Sequence, residues 1–181
     1  MTTLQQLKQL LIDRSVKTGD FILASGRPSK VYVDARMTTM SPEGMRLIGP
    51  LSLDAMDKNG WDPDAVGGLT LGADPVAFSI SYTSATRPHM VRAFTVRKEP
   101  KTHGTGNLIE GPFRSHDKVV IVEDVVTTGK SALLAIDAVQ TAGGQILGVL
   151  SVVNRNEGGI EAIRAKGFQT HSLINIQDLL V

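Results

Sequence analysis

Two adjacent acids, Glu123 and Asp124, are followed at once by Val125-Val126-Thr127-Thr128-Gly129-Lys130-Ser131. Each half of this stretch suits a different part of one ligand. Carboxylates accept hydrogen bonds from sugar hydroxyls. Through water they also organise Mg2+, a cation that holds on to its hydration shell. The hydroxyls of Thr127, Thr128 and Ser131, a glycine that lets the backbone come close, and the amides of a turn entering a helix make an anion cradle. The spacing is not that of a nucleoside-triphosphate loop, because Asp124 stands where that loop needs a glycine. Two acids there repel a polyphosphate but accept a diol. A phosphate at one end and a diol in the middle describe ribose 5-phosphate.

A second cluster lies upstream. Arg97, Lys98, Lys101 and His103 crowd positive groups into one segment, and Gly104, Gly106 and Gly111 follow with Pro100 and Pro112. The segment 97–113 reads as a long mobile loop, and loops of this length in small domains are usually functional. Closing over a site, it would neutralise a departing anion and expel water. Lys101 and His103 are the candidates for charge on leaving oxygens.

These residues need elements to position them. Lys118–Val122 reads as a buried strand with Glu123 and Asp124 at its carboxyl end, where open α/β sheets bind ligands. The runs "AVGGL", "MVRAFTV", "ILGVLSVV" and "THSLI" are further strands. Helices are predicted over Asp74–Ser84, Gly129–Ala142 and Gly158–Lys166. Such alternation indicates an α/β fold, a parallel sheet flanked by helices on both faces. Ahead of it, Leu4, Leu7, Leu10 and Leu11 predict an amphipathic helix capped by Thr2 or Thr3 and ending near Thr18-Gly19. "FIL" and "KVYVDAR" are extended runs, and a helix starts at Ser41-Pro42-Glu43, runs to about Lys58 and is expected to break at Gly49-Pro50. Asp74 is read as a helix N-cap with Pro75 behind it. The short end after "THSLI" is helical.

The 181 residues form one domain, with residues 1–40 and the C-terminal end as a small N-terminal hood subdomain. Hydrophobic residues at 41%, charged residues at 20% and a net charge of +1 give no nucleic-acid or membrane surface. No cysteine is present, which excludes disulfides and thiolate chemistry and suits a reducing, cytoplasmic setting. The N-terminus lacks the pattern of a signal peptide. His89, His116 and His171 stand apart, without metal-ligand spacing.

"VVIVEDVVTTGKS" resembles the binding signature of type I phosphoribosyltransferases. "VRKEPKTHGTGNLIEG" resembles the catalytic loop of the orotate phosphoribosyltransferases, matching at Arg97, Lys98, Glu99, Lys101, His103, Gly104 and Gly106. "FILASGRPSKVYVDAR" and "NRNEGG" extend the likeness over almost the whole chain. The resemblance implies Mg2+-dependent transfer of ribose 5-phosphate from 5-phosphoribosyl 1-pyrophosphate to N1 of orotate, with inversion at the anomeric carbon and no covalent nucleophile. It places 5-phosphoribosyl 1-pyrophosphate on Arg97, Lys98, Lys101, His103, Glu123, Asp124 and the loop Val125, Val126, Thr127, Thr128, Gly129, Lys130 and Ser131, with Leu71 and Gly72 on its pyrophosphate. Orotate falls to Thr127, Arg155, Tyr32 and Val33. Mg2+ is held mainly by substrate and water, with Glu123 and Asp124 behind the water. The resemblance also implies a homodimer whose loops reach into each other's sites.

Two positions depart from many bacterial relatives, which carry lysines where this chain has Ala24 and Gly72. Lys30 is a candidate to compensate, against a reading as a solvent-facing lysine. The rival functions are a phosphoribosyltransferase for a purine or uracil, and a non-catalytic regulator that senses phosphoribosyl pyrophosphate.

Overall fold

A computed structural model describes residues 1–22, 28–99 and 108–180, without the Ser29 side chain. Among the described residues eight strands and six helices follow one another. They are α1 (Thr3–Ser15), β1 (Val16–Ile22), β2 (Pro28–Val33), α2 (Arg36–Thr39), α3 (Pro42–Lys58), β3 (Ala65–Leu69) and α4 (Ala73–Ser84), then β4 (Arg92–Val96), β5 (Ile109–Glu110), β6 (Lys118–Val126), α5 (Lys130–Thr141), β7 (Gln145–Asn154), α6 (Gly159–Ala165) and β8 (Thr170–Asn175), before a closing 3-10 turn, Ile176–Leu179.

Strands β3 to β8 form one sheet in the order β5-β4-β3-β6-β7-β8. All its pairings are parallel except β4 with β5. The predicted parallel sheet with helices on both faces is therefore present. Its apolar strands alternate between two cores. Val120 and Val122 of β6 pack with α1, α3 and α4, while Val119 and Ile121 pack with α5 and α6. From β3 the chain moves outward to β4 and then returns to lay β6 on the other side. The carboxyl ends of β3 and β6 thus diverge into a crevice, the place where such sheets take ligands.

The N-terminal segment joins the first core, with Leu7 and Leu11 fully buried beside Val33 and the 3-10 turn's Leu179. Thr2 caps α1 in a reciprocal capping box with Gln5. The helix ends at Ser15, earlier than Thr18-Gly19, because β-branched Val16 starts a strand that pairs antiparallel with β2, Val16 opposite Val33.

Helix α3 starts as expected, with Ser41 accepting from the Gly44 amide at 3.0 Å. It does not break at Gly49-Pro50 but runs through Pro50. The buried face Leu47, Ile48, Leu53 and Met56 holds it in the core, and Ser79 of α4 donates to the Met45 carbonyl at this turn. Packing here outweighs the local cost of proline. The segment 97–113 is shorter as a loop than the sequence suggested. Its far end forms β5, and the Arg97 amide donates to the Leu108 carbonyl at 2.8 Å. Among the described residues no helix is long and apolar enough to cross a membrane.

Candidate active site

The crevice between β3 and β6 opens into a cleft of about 660 Å³. One wall is the acid-bearing end of β6 and the loop into α5. The opposite wall comes from β2 and the residues after it, and the floor from Leu69 to Gly72. Arg155 closes one end.

Strand β6 continues to Val126, so Glu123 and Asp124 lie within it and not beyond its end. The ten-residue β7 supplies the extra partners, pairing Val125 with Val153 and Val126 with Asn154. The strand's alternation then sends the two acids to opposite faces. Glu123 follows Ile121 toward the α5 side and reaches a small cavity of about 80 Å³ under the loop. Asp124 turns to the α4 side, where a Cβ on Gly72 would strike its carboxylate. Gly72 is therefore a place where only a bare backbone lets the acid in.

Glu123 is 5% exposed, and its Oε1 has no hydrogen-bond partner among the described residues. Burial, with Asp124 adding like charge beside it, pushes its carboxyl well above the usual range. Asp124 is raised chiefly by burial, against the opposing hydrogen bond from the Val125 amide at 2.8 Å. A buried acceptor without a donor costs free energy. Glu123 thus keeps an acceptor for which the described residues supply no donor.

The loop beyond is fixed from behind. Gly129 has φ +79°, a left-handed conformation that favours glycine, and a Cβ there would meet the Gly159 carbonyl at 2.8 Å. The Arg155 amide donates to the Val126 carbonyl at 3.0 Å, tying the ends of β6 and β7 together. Helix α5 begins at Lys130, one residue after the predicted start, with Gly129 as its cap. Its first amides, with Thr127, Thr128 and Ser131, surround the 80 Å³ cavity. Lys130 is exposed and lines the larger cleft.

The base-side residues are partly as expected. Tyr32 is 37% exposed, lines the cleft and sits against Phe21 with ring centroids 5.6 Å apart. Val33 lines the cleft while belonging to the core. The Arg155 side chain is 8% exposed and already engaged, with Nε donating to Glu157 at 2.7 Å and Nη2 reaching the Val31 carbonyl at 3.5 Å. A guanidinium has more donors than these two contacts use, and the clamp fixes its plane.

Other expectations need amending. Asp74 is not an N-cap but lies in the first turn of α4, accepting from Thr70 at 2.7 Å and Thr95 at 2.9 Å. It fastens the floor of the cleft to β4. Arg97 does not line the cleft; it pairs with Glu110 at 3.4 Å, because β4 and β5 are neighbours in a hairpin that the sequence reading did not contain. Lys98 does line it. Lys30 pairs with Asp20 on the β1–β2 hairpin, exposed, and is not among the cleft residues. Lys101, His103 and Ala24 lie outside the described residues. His89 and His171 make ordinary contacts, to the Pro63 carbonyl and Asn59.

Sequence reasoning missed Asp34 and Arg36, which line the cleft opposite Leu71 and Gly72. Their signal was present in "YVDAR", where Asp34 continues the alternation that exposes Tyr32 and Arg36 follows at ion-pair spacing.

No protein-family model matches the chain. The orotate phosphoribosyltransferase of Aquifex aeolicus is 43% identical over 179 residues, covering 97% of each chain. That of Mycobacterium avium is 46% identical over 176 residues, covering 97% of this chain and 96% of the relative. Solved structures of the Mycobacterium tuberculosis H37Rv orotate phosphoribosyltransferase superpose over 99% of this chain and all of theirs, with a TM-score of 0.88 at 42% identity for the complex with Fe(III) dicitrate and 0.83 at 39% for the complex with 5-phospho-alpha-D-ribosyl 1-diphosphate. Likeness at this identity across nearly the full length, on a type I phosphoribosyltransferase fold, sets aside the purine, uracil and regulator readings. This chain belongs to the orotate phosphoribosyltransferases of pyrimidine biosynthesis.

Proposed function

We propose that the cleft between β3 and β6 holds 5-phosphoribosyl 1-pyrophosphate and orotate in a fixed order. The 5′-phosphate occupies the 80 Å³ cavity under Val125–Ser131, gripped by turn amides and hydroxyls. Glu123 and Asp124 accept from the ribose hydroxyls. The pyrophosphate lies over Leu71 and Gly72, beside Lys98. Orotate stands between Tyr32, Val33 and Thr127, with its carboxylate on the remaining donors of Arg155. A solved relative is a complex with the same phosphoribosyl donor, which supports this reading. The observation that carries it is the Glu123 carboxyl, buried in the cleft wall with an oxygen that has no partner among the described residues.

With both ligands so placed, the protein's work is orientation and electrostatics. Holding N1 of orotate in line with the anomeric carbon converts an encounter of two molecules into a reaction within one complex. The acid pair lies beside the ribose, where it favours positive charge developing on the ring. Lys101 and His103 supply cations to the departing pyrophosphate.

Glu123 and Asp124 present hard oxygens at the cleft, and no cluster of three ligating side chains occurs among the described residues. Such a site fits Mg2+ held chiefly by substrate oxygens and water, with the two acids behind the water. When bound, the ion neutralises phosphate charge.

We further propose a homodimer in which each loop serves the partner's site. Arg97, at the root of that loop, faces its own Glu110 and not its own cleft. Met37, Leu71, Phe78 and Tyr82 are exposed apolar side chains on α2, α4 and the floor loop, a surface that a partner would cover. The hairpin β1–β2 with α1 and the C-terminal turn form the hood over the base end. A cytoplasmic setting accords with the absence of cysteine.

The test is turnover of the purified chain with the phosphoribosyl donor, Mg2+ and each base in turn, alongside calorimetry with ribose 5-phosphate. Orotidine 5′-monophosphate should form, and ribose 5-phosphate should bind. Ribose 5-phosphate binding unchanged in Glu123→Gln and Asp124→Asn would overturn the site assignment.

A further inference from the structure

We infer that Arg36, clamped by Asp34, is a pyrophosphate-binding residue of this enzyme. The inference rests on the placement of ligands just proposed and adds a residue to it.

If the 5′-phosphate sits under the loop into α5 and the ribose beside Glu123 and Asp124, the pyrophosphate extends across the cleft toward Leu71 and Gly72. That end carries negative charge of its own, since Asp124 packs against Gly72 and Asp34 stands opposite. Gly72 offers no side chain, and a Cβ there would collide with the Asp124 carboxylate. Four cationic side chains line the cleft among the described residues: Arg36, Lys98, Lys130 and Arg155. Lys130 stands at the phosphate loop. Arg155 is tied to Glu157 at the base end. Among the described residues Arg36 and Lys98 remain for the leaving group, beside the cations of the loop, and Lys30 is paired with Asp20 outside the cleft.

Arg36 is built for the task. Its Nε donates to Asp34 Oδ1 at 2.8 Å and its Nη2 to Oδ2 at 3.2 Å, a two-point clamp that fixes the plane of the guanidinium. The side chain stays 46% exposed at the cleft, with further N–H donors to offer. It also faces a shallow depression bounded by Asp34, Met37 and Leu71, continuous with the floor where pyrophosphate would lie. Asp34 is held below the usual carboxylate range by this same contact, and Arg36 in turn acts on the charge of Asp124. Asp34 is thus a positioning residue and Arg36 a binding one. A fork of planar donors matches adjoining phosphate oxygens better than the point charge of a lysine.

Wild-type protein is first checked for orotate turnover and for binding of ribose 5-phosphate, whose failure would sink the underlying placement and not Arg36 itself. In Arg36→Gln, the KM for the phosphoribosyl donor and the inhibition constant of inorganic pyrophosphate should each rise about tenfold to a hundredfold, the worth of one charge-assisted contact. The dissociation constant of ribose 5-phosphate, which lacks the pyrophosphate, and the KM of orotate should stay within about twofold. In Asp34→Asn the pyrophosphate constant should rise less, again without a change for ribose 5-phosphate. A merely structural role would weaken both ligands together, and that result overturns the inference, as does an unchanged pyrophosphate constant in Arg36→Gln. Should that variant not fold, Arg36→Lys carries the test: loss of the fork should raise the pyrophosphate constant several-fold, and no rise overturns the inference.

Discussion

Replacing Glu123 by glutamine separates what the site costs the fold from what it gives the reaction. The carboxyl is 5% exposed, lies beside Asp124 and has an oxygen without a partner among the described residues. Its folded-state pKa is therefore raised, first by burial and then by Asp124. For an acid raised in this way, stability is complete below the ordinary value of 4.5 and is lost as pH rises through the higher folded-state value. Glutamine has nearly the same shape and no charge, so it escapes this loss. Glutamine keeps an unpaired oxygen at this place, so the gain comes from removing the buried charge alone, on the order of 1–3 kcal/mol. For a chain of this size each kcal/mol moves the melting temperature by about 2–4 °C, so Glu123→Gln should melt about 2–12 °C higher at pH 8. The gain should shrink to nothing below the ordinary carboxylate range. Activity should move the other way, kcat/KM falling about tenfold to a hundredfold as a charged acceptor for the ribose is lost. Thermal melts of both proteins from pH 4 to pH 9, without ligand, read the first effect, and steady-state kinetics read the second. Parallel melting curves across that range, or wild-type kcat/KM in the variant, would refute the reasoning.

Gly129→Ala forces a Cβ onto a residue at φ +79° and toward the Gly159 carbonyl. It should cost about 1–3 kcal/mol in chemical denaturation and raise the KM of the phosphoribosyl donor more than that of orotate. Arg155→Ala should raise the orotate KM about tenfold or more, and Arg155→Lys should recover little of it, because a lysine cannot reproduce the clamped fork. Lys101→Ala should slow turnover strongly while leaving the melting temperature unchanged, as measured by stopped assays and melts on the same preparation. An unchanged rate there would dismiss the loop's role in charge neutralisation.

Much of this was legible in the linear sequence, for identifiable reasons. The strands β3, β6 and β7 are apolar, and β6 and β7 are rich in β-branched residues, so their type and order could be read before their pairing was known. The phosphate loop was legible because its chemistry is local: acids, hydroxyls and a glycine follow one another within one turn. Where partners were distant the reading failed. Pro50 sits inside a helix whose turn at Met45 and Gly49 packs against Ser79 and Thr83 of α4, and Asp74 serves Thr70 and Thr95 and not its own helix end. Strand β5 exists only because β4 lies beside it, and that neighbour draws Arg97 toward Glu110.

The alternation of strand and helix, the acid pair with its anion cradle and the family to which they point are all written in the linear order of residues, since each depends on neighbours in the chain. Which way those residues face follows from long-range pairing and packing. The pairing of β6 with β7 carries the strand past both acids, sends them to opposite sides of the sheet and leaves one oxygen of Glu123 buried without a donor among the described residues. The same folding brings Asp34, just after β2, and Arg36, at the start of α2, to the crevice between β3 and β6. No spacing along the chain encodes that meeting, because it depends on long-range packing that brings α1, β2 and the first core together.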